Sequence, residues 1–439
     1  MKRIESRSIN KLIESPMTAT PQSARFSVSL IFLIYGTLIG SYLPYLPFVK
    51  DRFGIGESAF SMGFLFGAFG ALASLPLAPW IIKQIGTRKA ILLMSLLYLS
   101  TVGFMMAAPS FALFLVLFLL VGLTISTWEI AVNSQASAIE DQMGRPVISS
   151  IHGFWSLGTF IGTAAMAGWL ALKLNGLWLI LGLIVLGFLA LPTVYGGLLR
   201  REQIPAESTA KPQPLKLRYM LYPPLIAIAF YMVAGYMLEG TFQDWGALLI
   251  RELMLGRGAE IVPERLWSLL PVQEADLRRR AAVSGAVALA FFTGTMTIGR
   301  LSGDFVIARI GRAGTLQIGG IIAVIGIVLV YLPSHQLLTF IGFACVGLGT
   351  ANIVPQVIKT ADSTPGLPAG VAISIITAVG FVAFLGGPVT IGFSGEHYGF
   401  RVTFLTLAIF PLVLALTAGL LLRWFERGRK DRLQAETTD

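Results

Sequence analysis

Glu129, His152 and Glu239 are ionisable residues set inside long apolar stretches of the sequence, where an unpaired charge is costly. A carboxylate and an imidazole brought together out of water are pulled two ways, because burial favours their neutral forms and mutual attraction their charged ones. Such a pair can take up and release a proton. Glu129 and Asn133 are four apart, the spacing that places two side chains on one helix face. His152 lies near the start of the next apolar run and is expected at a similar depth, so these three residues are expected to meet. The other reading is a plain hydrogen bond that ties two helices together.

Glu239 has Tyr236 three residues before it and Gln243 four after it, a polar stripe suited to binding a solute or a proton. Asp244 and Trp245 follow, either as part of that stripe or as anchors at a membrane interface. Arg300 and Asp304, again four apart, read as a local ion pair or a gate rather than as a place for solute. Trp155 lies one turn beyond His152, and Tyr35 and Tyr42 are seven apart. Such rings can stack on sugars, and at helical spacing they can equally well be packing. Asn352 and Gln356 supply hydrogen-bond donors and acceptors for a hydroxylated solute.

The elements that hold these residues are legible in the composition. Of 439 residues 55% are hydrophobic and 13% charged, against about 25% charged in soluble domains, and the mean hydropathy is +0.75. The 47 glycines suit membrane helices that approach closely. Apolar runs long enough to span a bilayer, roughly 20 residues each, lie at 26–48, 58–82, 89–108, 111–136, 147–170 and 176–199. A second set lies at 222–250, 281–307, 313–333, 336–358, 369–394 and 400–424. The expectation is an all-α integral membrane protein with twelve transmembrane helices in two six-helix, pseudo-symmetric bundles, 26–199 and 222–424. A tail at 1–25, a linker at 200–221 and a tail at 425–439 are expected on the cytoplasmic side.

The net charge of +10 does not point to nucleic acid, since the basic residues sit between apolar runs instead of forming a stripe. They concentrate on the side that holds both termini, which places those termini in the cytoplasm. An insertion at 251–280 is expected on the opposite side. It reads as a solvated loop, with Leu266, Trp267, Leu269 and Leu270 as the alternative of a short amphipathic piece. The first apolar run is too long for a signal-peptide core and is expected to remain as a helix. Cys345 is the sole cysteine, which rules out an internal disulfide. His335 and His397 are expected at helix ends far from His152, so no metal site is expected, and neither a GxxxxGK[ST] loop nor a GxSxG elbow occurs. No cofactor and no enzymatic activity are expected.

The halves echo each other. Val121-Gly122-Leu123 precedes Asn133 and Gln135, as Val346-Gly347-Leu348 precedes Asn352 and Gln356. Gly153, Gly158, Gly162 and Gly168 in the fifth run answer Gly380, Gly386, Gly387 and Gly392 in the eleventh. Internal symmetry of this kind marks carriers that bind solute near the midplane between two rocking halves.

Several motifs are more specific. Asn133-Ser134-Gln135-Ala136, then Gly144-Arg145-Pro146, then Ser150-Ile151-His152-Gly153-Phe154-Trp155-Ser156-Leu157-Gly158, together with Glu239-Gly240, Asp244-Trp245, Gly299-Arg300 and Gly303-Asp304, resemble the major facilitator superfamily and, more narrowly, its bacterial MosC/YbjJ-like branch. The resemblance covers nearly all twelve expected helices. It implies a monomeric carrier in the bacterial inner membrane, with protons as coupling ion, membrane lipid as its surroundings and a small sugar or cyclitol as solute. The chain departs from the family pattern between the second and third helices, where Pro79, Lys83 and Gln84 replace the glycine, aspartate and arginine of Gly-x-x-x-Asp-Arg-x-Gly and only Gly86 remains. The acidic latch of that motif is missing, which shifts the expected gating to Arg300 and Asp304. Pro44-Tyr45-Leu46-Pro47 stands where the branch carries Pro-Arg-Ile-Pro, and Thr163 replaces the proline usual in antiporters. The alternatives are an exporter of amphiphilic compounds and a non-transporting sensor or partner-binding protein that uses the insertion.

Overall fold

The computed structural model describes residues 19–145, 147–203, 222–257, 262–331, 336–362, 364 and 371–436. Most of the expected linker and of the N-terminal tail lies outside them. The described chain is helical. α1 (Pro21–Tyr42) starts where Pro21 fits the first turn and Thr20 Oγ1 accepts from the Ser23 amide at 3.2 Å, a side-chain cap for an otherwise orphaned donor. A 3-10 turn, Leu43–Tyr45, joins it to α2 (Leu46–Phe53). Then come α3 (Glu57–Met106), α4 (Phe111–Met143), α5 (Ile148–Ala171) and α6 (Gly176–Gly197). The second half holds α7 (Pro223–Leu255), α8 (Val272–Tyr331), α9 (Gln336–Thr350), α10 (Ile353–Asp362), α11 (Val371–Tyr398), α12 (Phe400–Thr406) and α13 (Ile409–Glu436).

Among the described residues eleven helical segments are long and apolar enough to cross a membrane. One of them is α3, whose 50 residues would run about 75 Å if straight, more than twice the hydrocarbon thickness. It breaks at Gly86, where φ is 77°, a conformation open to glycine at little cost. α8 breaks in the same way at Gly311, φ 72°, so each half folds back on itself at a glycine in the corresponding place.

Within the first half, α1 and α5 meet through small residues. A Cβ on Gly40 would overlap the Thr159 backbone, and one on Gly162 the Thr37 backbone. Close approach of this kind drives helix association where apolar burial cannot distinguish helix from lipid. Between the halves, α5 runs along α8 and α3 along α11.

Much of the described part of the insertion at 251–280 is helical. α7 continues to Leu255, α8 already begins at Val272, and a 3-10 turn spans Glu264–Leu269 between them. Trp267 on that turn is buried against Phe48, ring centroids 5.6 Å apart, and its indole N–H donates to the Val262 carbonyl at 2.9 Å. The amphipathic alternative describes this segment better.

Candidate functional site

The two halves meet around a line of polar side chains. Arg300 on α8 reaches across to α7, where Nη2 donates to both carboxylate oxygens of Glu239 at 2.8 Å, while Nη1 donates to Ser156 Oγ on α5 at 3.2 Å. Gln243, one turn beyond Glu239, donates to the same carboxylate at 3.2 Å. One guanidinium thus joins helices of both halves, and the pair is 29% and 22% accessible, neither sealed nor at the surface. The expected partner of Arg300 was Asp304, with a gate as the other reading; the described partner is Glu239. The side chain of Asp304 lies outside the described set.

Beside this clasp, His152 Nε2 and Asn133 Oδ1 are 3.2 Å apart. The imidazole rests on Phe32, centroids 4.9 Å apart, and lies within electrostatic reach of Arg300. Glu129 does not join them: among the described residues it has no hydrogen bond or ion pair. It is accessible, and Tyr236 of α7 lies within electrostatic reach of Glu129, Glu239 and Arg300 together. Trp155 is partly covered and presents its edge to Phe32 at 6.0 Å.

Three other expected groups sit elsewhere. Tyr35 is wholly buried, stacked on Trp128 at 4.4 Å and beside Tyr98 at 4.8 Å. It is a core residue and offers no face to a solute in this conformation. Asn352 donates to the Gly299 carbonyl at 3.0 Å, which ties α8 to the α9–α10 corner, and Gln356 is buried, 2% exposed, in this conformation. Asp244 is partly accessible, but its neighbour Trp245 is fully buried among Phe60, Phe64 and Phe400, which removes the interfacial-anchor reading of the indole. Thr163, noted for replacing a proline, is buried with its hydroxyl 3.1 Å from that of Thr293 in the other half.

A second polar cluster closes one end of the molecule, the end that carries the insertion. Asp51 on α2 pairs with Arg251 on α7, and Lys50 pairs with Glu57 at 2.9 Å. Lys50 and Asp51 are 2% and 5% accessible, so the cross-half pair is largely desolvated. Glu396 on α11 accepts from the Ser58 amide at 2.7 Å. Asn175, between α5 and α6, donates to Glu264 of the insertion at 3.4 Å and accepts from the Tyr45 hydroxyl at 3.3 Å. Beneath these contacts a cavity of about 30 Å³ is lined by residues of both halves, among them Phe48, Asp51, Arg251, Trp267 and Arg278. Sequence reasoning missed this cluster. Lys50, Asp51 and Arg251 stand at the ends of apolar runs, where they read as loop charge.

The linker end carries other devices. Arg201 donates to the carbonyls of Lys83 and Gln84 at 2.8 and 3.4 Å, and Arg88 donates to the Tyr195 carbonyl at 2.9 Å. A cation at a helix C-terminus is favourable.

A family model described as Major Facilitator Superfamily matches residues 28–357. The chain is 27% identical over 398 residues to an uncharacterised MFS-type transporter of Yersinia pestis, covering 90% of this chain and 95% of that one. It is 26% identical over 377 residues to membrane protein MosC of Rhizobium meliloti, covering 85% and 84%. Among solved structures, a mutant of the nucleoside transporter NupG is similar at a TM-score of 0.67 and 13% identity, over 91% of this chain and 99% of that one. A bacterial homologue of the human lysosomal transporter Spinster, inward-facing and unoccupied, is similar at 0.61 and 15%, over 93% and 98%. Likeness at such identities speaks to the fold alone.

Proposed function

This chain belongs to the Major Facilitator Superfamily, it is a membrane transporter and not an enzyme, and we propose that it carries a small polar solute, a sugar, cyclitol or similar compound, coupled to protons. The observation that carries this reading is the set of polar groups from both halves that face each other: Glu129, Asn133, His152 and Ser156 on one side, Tyr236, Glu239 and Arg300 on the other. Ionisable groups at such depth are retained where they line a pathway. The basic residues near the termini support a cytoplasmic linker end, in a bacterial inner membrane on this reading. In this reading the insertion end faces outward, and the contacts of Asp51 with Arg251 and of Glu396 with the Ser58 amide close that end.

In this reading a solute enters between the bundles and exchanges the water of its hydroxyls for hydrogen bonds to Asn133, His152 and Gln243. Rocking of the halves breaks the outer contacts of Asp51 with Arg251 and rearranges the Ser156–Arg300–Glu239 clasp. Proton uptake neutralises interior carboxylates, so that the halves can close over them at lower cost. The test is uptake of radiolabelled sugars and cyclitols into proteoliposomes, with and without an imposed pH gradient. Gradient-driven accumulation supports the reading, whereas uptake indifferent to the gradient removes the coupling claim.

A further inference from the structure

The turns at the linker end repeat one pattern in each half. α3 breaks at Gly86 and α8 at Gly311. Six residues before each glycine stands an aromatic ring turned out of the protein, Trp80 and Phe305, each 61% exposed. On α3 the exposed stripe runs from Leu77 through Trp80 to Lys83 and Gln84, in the three- and four-residue steps of one helix face. On α8 it runs from Leu301 through Phe305 to Arg309, whose guanidinium carbon lies 4.3 Å over the Phe305 ring. An aromatic ring at the end of an apolar, outward stripe marks the level of the lipid headgroups. Beyond each glycine a second basic residue follows, Lys89 exposed and Arg312 partly so.

Depth along the helix agrees. Lys83 stands 26 residues along α3 from Glu57 at the insertion end, with no charged residue between them, about 39 Å at 1.5 Å per residue. A bilayer with its headgroup layers measures roughly 40–45 Å, so Glu57 and Lys83 fall in opposite headgroup layers. No acidic residue occurs within 80–89 or 305–314. Lys83, Lys89, Arg309 and Arg312 make no ion pair among the described residues. Membrane topology by itself calls for basic residues on one side, but not for a ring beside them or for a repeat at matching places in the two halves. An ammonium or guanidinium at this level finds its counter-charge in lipid phosphate. Zwitterionic lipid offers that phosphate next to a cation, whereas anionic lipid offers it alone.

We propose that these turns are two docking ledges for anionic phospholipid of the leaflet at the linker end, one in each half. Lys83 and Lys89 hold one headgroup, and Arg309 and Arg312 the other, so each headgroup bridges the two legs of a helix across its glycine break. The inference is independent of the solute and of the coupling ion. The experiment is native mass spectrometry of the full-length chain released from nanodiscs of equal phosphatidylglycerol and phosphatidylcholine. One basic residue near a membrane surface strengthens anionic-lipid association about five-fold. Two per ledge then favour retained phosphatidylglycerol over phosphatidylcholine by roughly ten-fold or more. Two tightly held molecules are expected. Lys83→Gln with Lys89→Gln removes one, Arg309→Gln with Arg312→Gln removes the other, and Arg280→Gln, exposed at the insertion end, removes neither. Equal retention of the two lipids by the parent chain overturns the proposal, and that comparison needs no variant to fold. So does a preference that survives replacement of all four residues. Inorganic phosphate added at constant ionic strength should leave the retained lipid in place; displacement by it assigns the ledges to a free anion and overturns lipid docking.

Discussion

Arg251→Met removes the cation from the pair that closes the insertion end while keeping much of its volume. Asp51, 5% accessible, then faces the cavity with Lys50 Nζ at 4.0 Å as its remaining ion-pair neighbour among the described contacts. Breaking a buried pair by deleting one partner costs about 3–5 kcal/mol. The remaining lysine and the 16% accessibility of Arg251 lower this to about 2–3 kcal/mol. Water reaches Asp51 once this end opens, so the cost falls on the closed conformation. The ratio of closed to open molecules then drops by roughly 30- to 150-fold, at 1.4 kcal/mol per factor of ten. The assay is pulsed electron-spin distance measurement in a Cys345→Ser background with labels at Leu172→Cys and Leu269→Cys, both strongly exposed and on opposite halves. A longer-distance population is expected in the variant, and adding Asp51→Asn should reverse part of it by removing the stranded charge. A distance distribution identical to the parent's refutes the assignment of this pair as the gate.

Two further outcomes follow from the same contacts. Glu239→Gln and Arg300→Gln should each lower thermal stability in detergent by about 1–2 kcal/mol, a modest value because both side chains are partly accessible, and the double variant should fall short of their sum; strict additivity contradicts the clasp. Glu264 lies outside the spanning segments, and burial raises its carboxyl above the ordinary 4.5, with Arg279 and Arg52 opposing. A raised carboxyl favours the docked insertion while protonated, so that contribution is full below pH 4.5 and is lost as pH rises through the raised value. The same spin-label pair should therefore show tighter docking in acid, and Glu264→Gln should abolish the trend; a trend that survives this substitution assigns it to another group.

What the sequence disclosed was local. Gln243 stands four residues from Glu239, and its amide does bond that carboxylate. The same spacing suggested Asp304 for Arg300, whereas the described partner of Arg300 is 61 residues away, and nothing in a linear pattern points to a carboxylate at that distance. Tyr35 and Tyr42 share a helix face, but periodicity cannot tell the side that packs on Trp128 from the side that lines a pathway. The closing cluster was hidden for a related reason. Asp51 and Arg251 are 200 residues apart, and each alone looks like an ordinary charge at a helix end. Apolar runs were read well as helices, and Gly86 and Gly311 break α3 and α8 between neighbouring runs.

The central claim is that these ionisable side chains line a passage open to one side of the membrane at a time. His152→Cys in a Cys345→Ser background, probed with a membrane-impermeant thiol reagent in vesicles of known orientation, tests it most directly. The account predicts labelling from the linker side alone, extended to the insertion side when Arg251→Met is added. Labelling by lipid-soluble reagents only, from neither aqueous side, would contradict it.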